Sequence, residues 1–86
     1  MLKMNNLEIC FHIASTNNAK YVGIKIETRG SKAPEIIINP NENFDAKFEY
    51  YKKAYTDDLV LKTYDGIKII GFTYGNSFEE IEKDLI

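Results

Sequence analysis

The sequence is poor in cysteine, proline and tryptophan, with one, two and none of these in 86 residues. The single thiol, Cys10, cannot form an internal disulfide, and small secreted domains usually depend on several, so a reducing compartment is expected. No apolar run approaches the ~20 residues that span a bilayer, and the N-terminus lacks a basic segment followed by an apolar one. These absences predict a cytoplasmic protein without membrane contact.

An excess of charge of one sign is also lacking. Eleven basic and thirteen acidic side chains give a net charge of −2, which disfavours nucleic-acid binding by bulk electrostatics. With 44% hydrophobic and 28% charged residues, the composition is that of a folded domain and not of a disordered chain. A chain this short has room for one domain, residues 1–86, and its thin stability margin makes association with a copy or a partner favourable.

Three strands are expected in the first half of the chain. Apolar residues alternate with polar ones in residues 7–13 and 21–27, the period of two that is typical of strands. The turn-rich residues 15–19 lie between them, which predicts a hairpin. Residues 35–39 are too few for a helix and rich in β-branched side chains, so they are predicted to form a third strand.

A long helix is expected next, with Asn39 or Asn43 as its N-terminal cap. Four aromatic side chains then follow at spacings of four, three and four: Phe44, Phe48, Tyr51 and Tyr55. Such spacing places their rings on one helical stripe, which is predicted to face the core.

The C-terminal part predicts a second hairpin and a short helix. Asp65-Gly66 is a strong turn signal between strands at residues 59–63 and 67–74. Ser77 caps the short helix, whose core side chains are expected to be Phe78, Ile81 and Leu85. The predicted order is βββαββα, an α+β fold with a mostly antiparallel sheet of about five strands, one long helix and one short C-terminal helix.

Residues for catalysis are scarce. Cys10 and His12 would share one face of the first strand about 7 Å apart, where they can act as nucleophile and base or as two metal ligands. Either use needs further residues that the sequence does not identify, and a half-buried thiol beside a surface histidine is the structural alternative. Asp57, Asp58 and Asp65 lack the loop pattern of a cation site and suit helix termination and turns. We therefore expect no metal, no cofactor and no enzymatic activity.

Two surfaces are candidates for binding. The sheet face away from the helices is expected to display a mixed polar and aromatic set of side chains: Cys10, His12, Tyr21, Lys25, Phe72 and Tyr74. A face of this kind self-associates or holds a partner, unless the C-terminal helix folds across it. The second candidate is the flank of the long helix, where Lys47 and Tyr50 combine a base with an exposed ring, as single-stranded nucleic-acid platforms do.

Three segments resemble small uncharacterised proteins of Firmicutes prophages and plasmids: Ile36-Ile37-Ile38-Asn39-Pro40-Asn41-Glu42-Asn43-Phe44, Tyr50-Tyr51-Lys52-Lys53-Ala54-Tyr55 and Ser77-Phe78-Glu79-Glu80-Ile81-Glu82. No activity and no site residue are attached to that family. The resemblance implies a mobile-element context, in which inhibitors of host defence, expression regulators and accessory binding proteins are common.

The interpretation that best fits these observations is a small non-enzymatic binding protein that forms a homodimer. It would act through protein–protein contact, for example as an inhibitor of a host defence or nuclease complex. Two alternatives stay open at this point. One is a single-stranded nucleic-acid or nucleotide binding module, and the other is a small enzyme that uses Cys10 and His12.

Overall fold

A computed structural model describes residues 2–86 of the chain. Its elements in chain order are α1 (Met4–Thr16), β1 (Tyr21–Thr28), β2 (Glu35–Pro40), a 3-10 turn (Asn41–Asn43), α2 (Phe44–Ala54), β3 (Ile67–Gly75) and α3 (Phe78–Leu85). Within these residues the three strands form an antiparallel sheet in the order β2-β1-β3. Helices α1 and α2 cover one face of the sheet, and α3 covers the other. The α+β class is confirmed, but the element order is not the predicted βββαββα.

The first element is a helix, so the prediction of a strand over residues 7–13 is wrong. Leu7, Phe11 and Ala14 recur at helical spacing and are buried, whereas Ile9 and Ile13 are 46% and 39% exposed. The apolar residues of this segment fit both a period of two and a period of 3.6. In the helix, the Phe11 ring lies 5.6, 5.7 and 6.3 Å from three aromatic rings of α2. These contacts favour the helical over the extended conformation of this segment.

The aromatic stripe of α2 faces the core as predicted. Phe44 and Tyr51 are buried, and the half-buried Phe48 packs against them. Tyr55, the first residue after the helix, is buried beside Tyr51. Asn43 precedes the helix, so the second of the two predicted caps marks its start, although its side chain makes no capping hydrogen bond.

Asn39 is not a helix cap but a buried residue of β2. Its Nδ2 donates to the carbonyl oxygen of Val22 at 3.1 Å, and its Oδ1 accepts from the Tyr51 hydroxyl at 3.3 Å. The amide thus satisfies polar groups that burial would otherwise leave unpaired, and it ties α2 to the two paired strands beneath it.

The predicted strand over residues 59–63 is reduced to isolated bridges, which is one reason why the sheet has fewer strands than expected. Val60 pairs with Lys68, and Leu61 with Tyr55, each through a single bridge. Leu59 has a φ of 66°, a left-handed conformation that interrupts an extended chain. The predicted strands over residues 21–27, 35–39 and 67–74 are confirmed as β1, β2 and β3.

The short C-terminal helix lies across the second sheet face. The Ser77 hydroxyl accepts a hydrogen bond from the Glu80 backbone N–H at 3.2 Å, as the predicted cap requires. Ile81 and Leu85 are buried against the sheet as predicted. The prediction of Phe78 as a core residue is wrong, because its side chain is 55% exposed and its ring packs against that of Tyr21. The alternative in which this helix closes the sheet face is therefore the one that the chain adopts.

Candidate functional site

The six residues predicted to share one sheet face lie on three different surfaces. Cys10 and His12 belong to α1, while Tyr21 and Lys25 lie on the face covered by α3. Phe72 and Tyr74 pair with Ile24 and Val22 of β1, whose side chains point toward α1 and α2. Directly paired residues point to the same face of a sheet, so the antiparallel register separates Phe72 and Tyr74 from Tyr21 and Lys25.

Cys10 and His12 are not the adjacent pair that a strand would make. Two residues apart on a helix, their side chains diverge by about 200° around its axis. Cys10 packs against the core, and burial raises the pKa of its thiol to about 11. His12 is exposed and lines a groove of about 280 Å³ between α1 and α2. The raised pKa favours the protonated thiol, which is the less reactive form, and the imidazole lies in the groove and not beside the thiol.

Tyr21 and Lys25 are engaged by α3. The Lys25 Nζ donates to the carbonyl oxygen of Leu85 at 2.6 Å, and the Tyr21 ring lies 5.0 Å from that of Phe78. A cation at a helix C-terminus is favourable, so Lys25 stabilises α3 where it lies. Both side chains therefore help to hold α3 against this face of the sheet.

Lys47 and Tyr50 lie together, as their helical spacing predicts. The Lys47 Nζ lies 5.6 Å from the centroid of the Tyr50 ring, which is 51% exposed. The Tyr50 ring also lies 5.2 Å from that of Tyr51. A base stacking on Tyr50 would have to compete with the ammonium group for that ring face, which weakens the nucleic-acid interpretation.

The outer edge of β2 was not singled out in the sequence as a site. It faces solvent, because β1 pairs with β2 on one side and no strand among the described residues pairs with it on the other. Asn41 N–H donates to the Lys20 carbonyl at 2.8 Å, and this bond sets the alternation of the ladder. In that alternation Ile36 and Ile38 direct their N–H and C=O groups away from β1. The sequence signal was a run of three isoleucines that follows Glu35 and precedes Asn39-Pro40.

The Lys47–Tyr50 flank of α2 lies beside this edge. Tyr51 reaches Asn39 of β2, whereas Phe48, on the other side of the aromatic stripe, reaches Phe11 of α1. With about 100° between successive residues, Lys47 and Tyr50 fall on the Tyr51 side of the stripe and Asp45 on the Phe48 side. The structure thus unites one predicted binding pair with an unpaired strand edge.

No helix in residues 2–86 has the length and apolarity needed to cross a membrane. The same residues contain no group of three or more His, Cys, Asp and Glu side chains placed to hold a metal ion.

Comparison with known proteins finds no family model that matches the chain. Neither a curated protein nor a solved structure matches it. The resemblance to mobile-element proteins and the expected homodimer stay predictions, and the functional argument depends on the geometry of the chain itself.

Proposed function

We propose that this chain is a small non-enzymatic binding protein that acts through protein–protein contact, by accepting an extended segment of a partner at the outer edge of β2. The observation that carries the proposal is the pair of outward N–H and C=O groups at Ile36 and Ile38, on a strand that has no second neighbour among the described residues. Addition of a strand to an open sheet edge is an established mode of peptide recognition.

The composition of β2 supports this use of the edge. Natural proteins protect edge strands with charges, prolines, bulges or covering loops. Here the only charge and the only proline are at the ends, Glu35 and Pro40, and three isoleucines and the buried Asn39 lie between them. Each main-chain hydrogen bond to a docked strand contributes about 0.5–1.5 kcal/mol, and the half-buried isoleucine side chains add apolar contact.

The biological setting that we propose for this contact is a mobile element, as the resemblance to prophage and plasmid proteins implies. A mobile-element protein that adds its own sheet edge to an exposed strand of a host defence or nuclease complex would inhibit it by occupying that surface. Such inhibition needs no cofactor and no reaction at the contact.

Ile36→Pro tests the proposal because proline removes one outward N–H. The Ile36 N–H does not take part in the β1–β2 ladder, so the sheet itself keeps its hydrogen bonds. Ile36→Ala is the matched control, because it also removes the isoleucine side chain but keeps the backbone N–H.

The two variants and the unchanged chain are compared as baits in bacterial host lysate, after circular dichroism has shown that all three are folded. The unchanged chain and Ile36→Ala are expected to retain the same partner, and Ile36→Pro to lose it. Equal capture by a folded Ile36→Pro would contradict the proposal. The nucleic-acid alternative predicts instead a partner whose binding falls steeply with added salt.

A further inference from the structure

We infer that the partner segment accepted by β2 is amphipathic, with apolar side chains at two alternate positions that lie opposite Ile36 and Ile38 on the sheet face covered by α3. This inference rests on the proposed function and specifies the chemistry of its partner. It is carried by the register of the sheet and the position of α3, which together leave an apolar surface of β2 partly uncovered.

The register places the side chains of Ile36 and Ile38 on the face covered by α3. Ile36 pairs directly with Lys25, and Ile38 with Gly23. Directly paired residues point to the same face, and both Lys25 and Gly23 contact α3. Ile37 points to the opposite face, where it packs against the main core. The strand therefore has one side in the core and another on which two isoleucines are half-buried.

Helix α3 covers these two isoleucines only in part. A Cβ atom added at Gly23 of β1, or at Gly71 or Gly75 of β3, would lie within 4 Å of α3 side chains. The helix thus lies over β1 and β3, and β2 extends beyond it. An apolar side chain docked opposite Ile36 or Ile38 removes apolar surface from water on both strands, whereas a polar one gains nothing comparable.

The same surface continues beyond the end of β2. Pro40 is half-buried and pairs directly with Tyr21, whose ring lies 5.0 Å from the 55% exposed ring of Phe78. Two charged side chains border this surface: Lys25 is bonded to α3, and Glu82 is exposed on the side of α3 away from β3. One charge of each sign gives no preference for a charged strand, so apolar contact is the selective feature.

The other side of a docked strand lies beside α2 and has no comparable selectivity. Lys47 and Lys53 are on the nearer part of that helix, but Glu49 is one turn before Lys53. Glu42 follows shortly after the end of β2. These mixed charges favour neither an acidic nor a basic residue at the position between the two apolar ones.

The inference is tested with three capped peptides of about seven residues, built from threonine and lysine. One carries valines at its third and fifth positions, the second carries them at its third and fourth, and the third carries none. Only the first presents both valines to one face of a strand, although the second has the same composition. Each is titrated into the ¹⁵N-labelled full chain, and the amide resonances of Ile36 and Ile38 are followed.

The first peptide is expected to bind most tightly. It gains one more apolar cross-strand pair than the second, which corresponds to an affinity about two- to fivefold higher. The peptide without valine is expected to bind more weakly than either.

Matched variants assign this preference to its source, after circular dichroism has shown that they are folded. The double variant Ile36→Thr, Ile38→Thr keeps both backbone N–H groups and the branched shape at Cβ, and is expected to bind the first two peptides equally. The double variant Ile9→Thr, Ile13→Thr removes two isoleucines that are 46% and 39% exposed on α1, and is expected to keep the preference.

The outcomes separate the amphipathic segment from the edge that accepts it. Equal binding of the three peptides, with shifts at Ile36 and Ile38, would overturn the amphipathic segment and leave the edge in place, as would a preference that persists in Ile36→Thr, Ile38→Thr. Absence of shifts at these amides with every peptide would overturn the edge, and the inference with it. A dimer that forms on its own and is abolished by Ile36→Pro would identify a second copy as the occupant and overturn the partner segment.

Discussion

A glycine allows the C-terminal helix to approach the sheet. A Cβ atom added at Gly23 would lie 2.1 Å from Ile81 Cγ2 and 3.4 Å from Leu85 Cδ1. The first separation is far below van der Waals contact. Ile81 is fully buried and branched at Cβ, so its methyl group cannot move aside without a shift of the helix. Gly23→Ala is therefore expected to weaken the docking of α3.

The expected magnitude follows from two limits. Forcing an extra methyl group into a packed contact typically costs about 1–3 kcal/mol. The upper limit is release of α3, which exposes Ile81 and Leu85 at about 1.5–3 kcal/mol each and recovers some chain entropy. We expect Gly23→Ala to lower the free energy of unfolding by about 2 kcal/mol, a large fraction of the stability of a small domain.

Urea unfolding followed by far-UV circular dichroism measures this change. Gly71→Ala is the matched control, because its Cβ would lie 3.5 Å from Leu85 Cδ2, an ordinary contact beneath the same helix. We expect Gly71→Ala to change stability by less than about 0.5 kcal/mol.

A double-mutant cycle with Ile81→Ala ties the effect to the proposed contact. Ile81→Ala alone should cost about 2–5 kcal/mol, but it also removes the methyl group that meets the new Cβ. The two substitutions together should therefore cost less than the sum of their separate effects, by about 1 kcal/mol or more. Strict additivity, or a Gly23→Ala variant as stable as the unchanged chain, would refute the reasoning.

The further predictions concern two polar groups, the buried Tyr51 hydroxyl and the partly buried Cys10 thiol. Tyr51→Phe leaves the buried Asn39 Oδ1 without its donor and should cost about 1–3 kcal/mol in urea unfolding, with no loss contradicting the hydrogen bond. Burial raises the pKa of the Tyr51 hydroxyl from 10.0 to about 12. The contribution of this hydroxyl to the free energy of unfolding is therefore complete below pH 10 and is lost as the pH rises toward 12. Stability should fall more steeply over that window in the unchanged chain than in Tyr51→Phe. Burial raises the pKa of the Cys10 thiol from 9.0 to about 11. Alkylation of this thiol by iodoacetamide at pH 8 should therefore be about tenfold slower in the folded than in the urea-unfolded chain. Equal rates in the two states would contradict the raised pKa.

Elements with a strong local signal were predictable from the sequence. The aromatic spacing from Phe44 to Tyr55 fits only one periodicity, and Ser77 satisfies the backbone of its own helix within one turn. The β-branched run at residues 35–39 identified β2 for a similar reason. Residues 7–13 carried two periodicities at once, and only the aromatic rings of α2 decide between them.

The candidate site was predictable only in part. Lys47 and Tyr50 lie three residues apart on a helix, so their contact follows from local geometry. The open edge of β2 depends on strand order, because any of the strands could have been internal. The six residues predicted for one sheet face do not share it, because residues 7–13 form a helix and the register of β3 turns Phe72 and Tyr74 to the face opposite Tyr21 and Lys25.

The sequence by itself determined the α+β fold class, the aromatic helix, the N-terminal cap of the last helix and the three strands of the sheet, because these depend on neighbours within a few residues. Tertiary structure decided that residues 4–16 form a helix, that α3 closes one sheet face over Gly23, and that β2 is left at the edge. Those outcomes depend on which surfaces distant segments bury together, and the spacing of residues along the chain does not specify that choice.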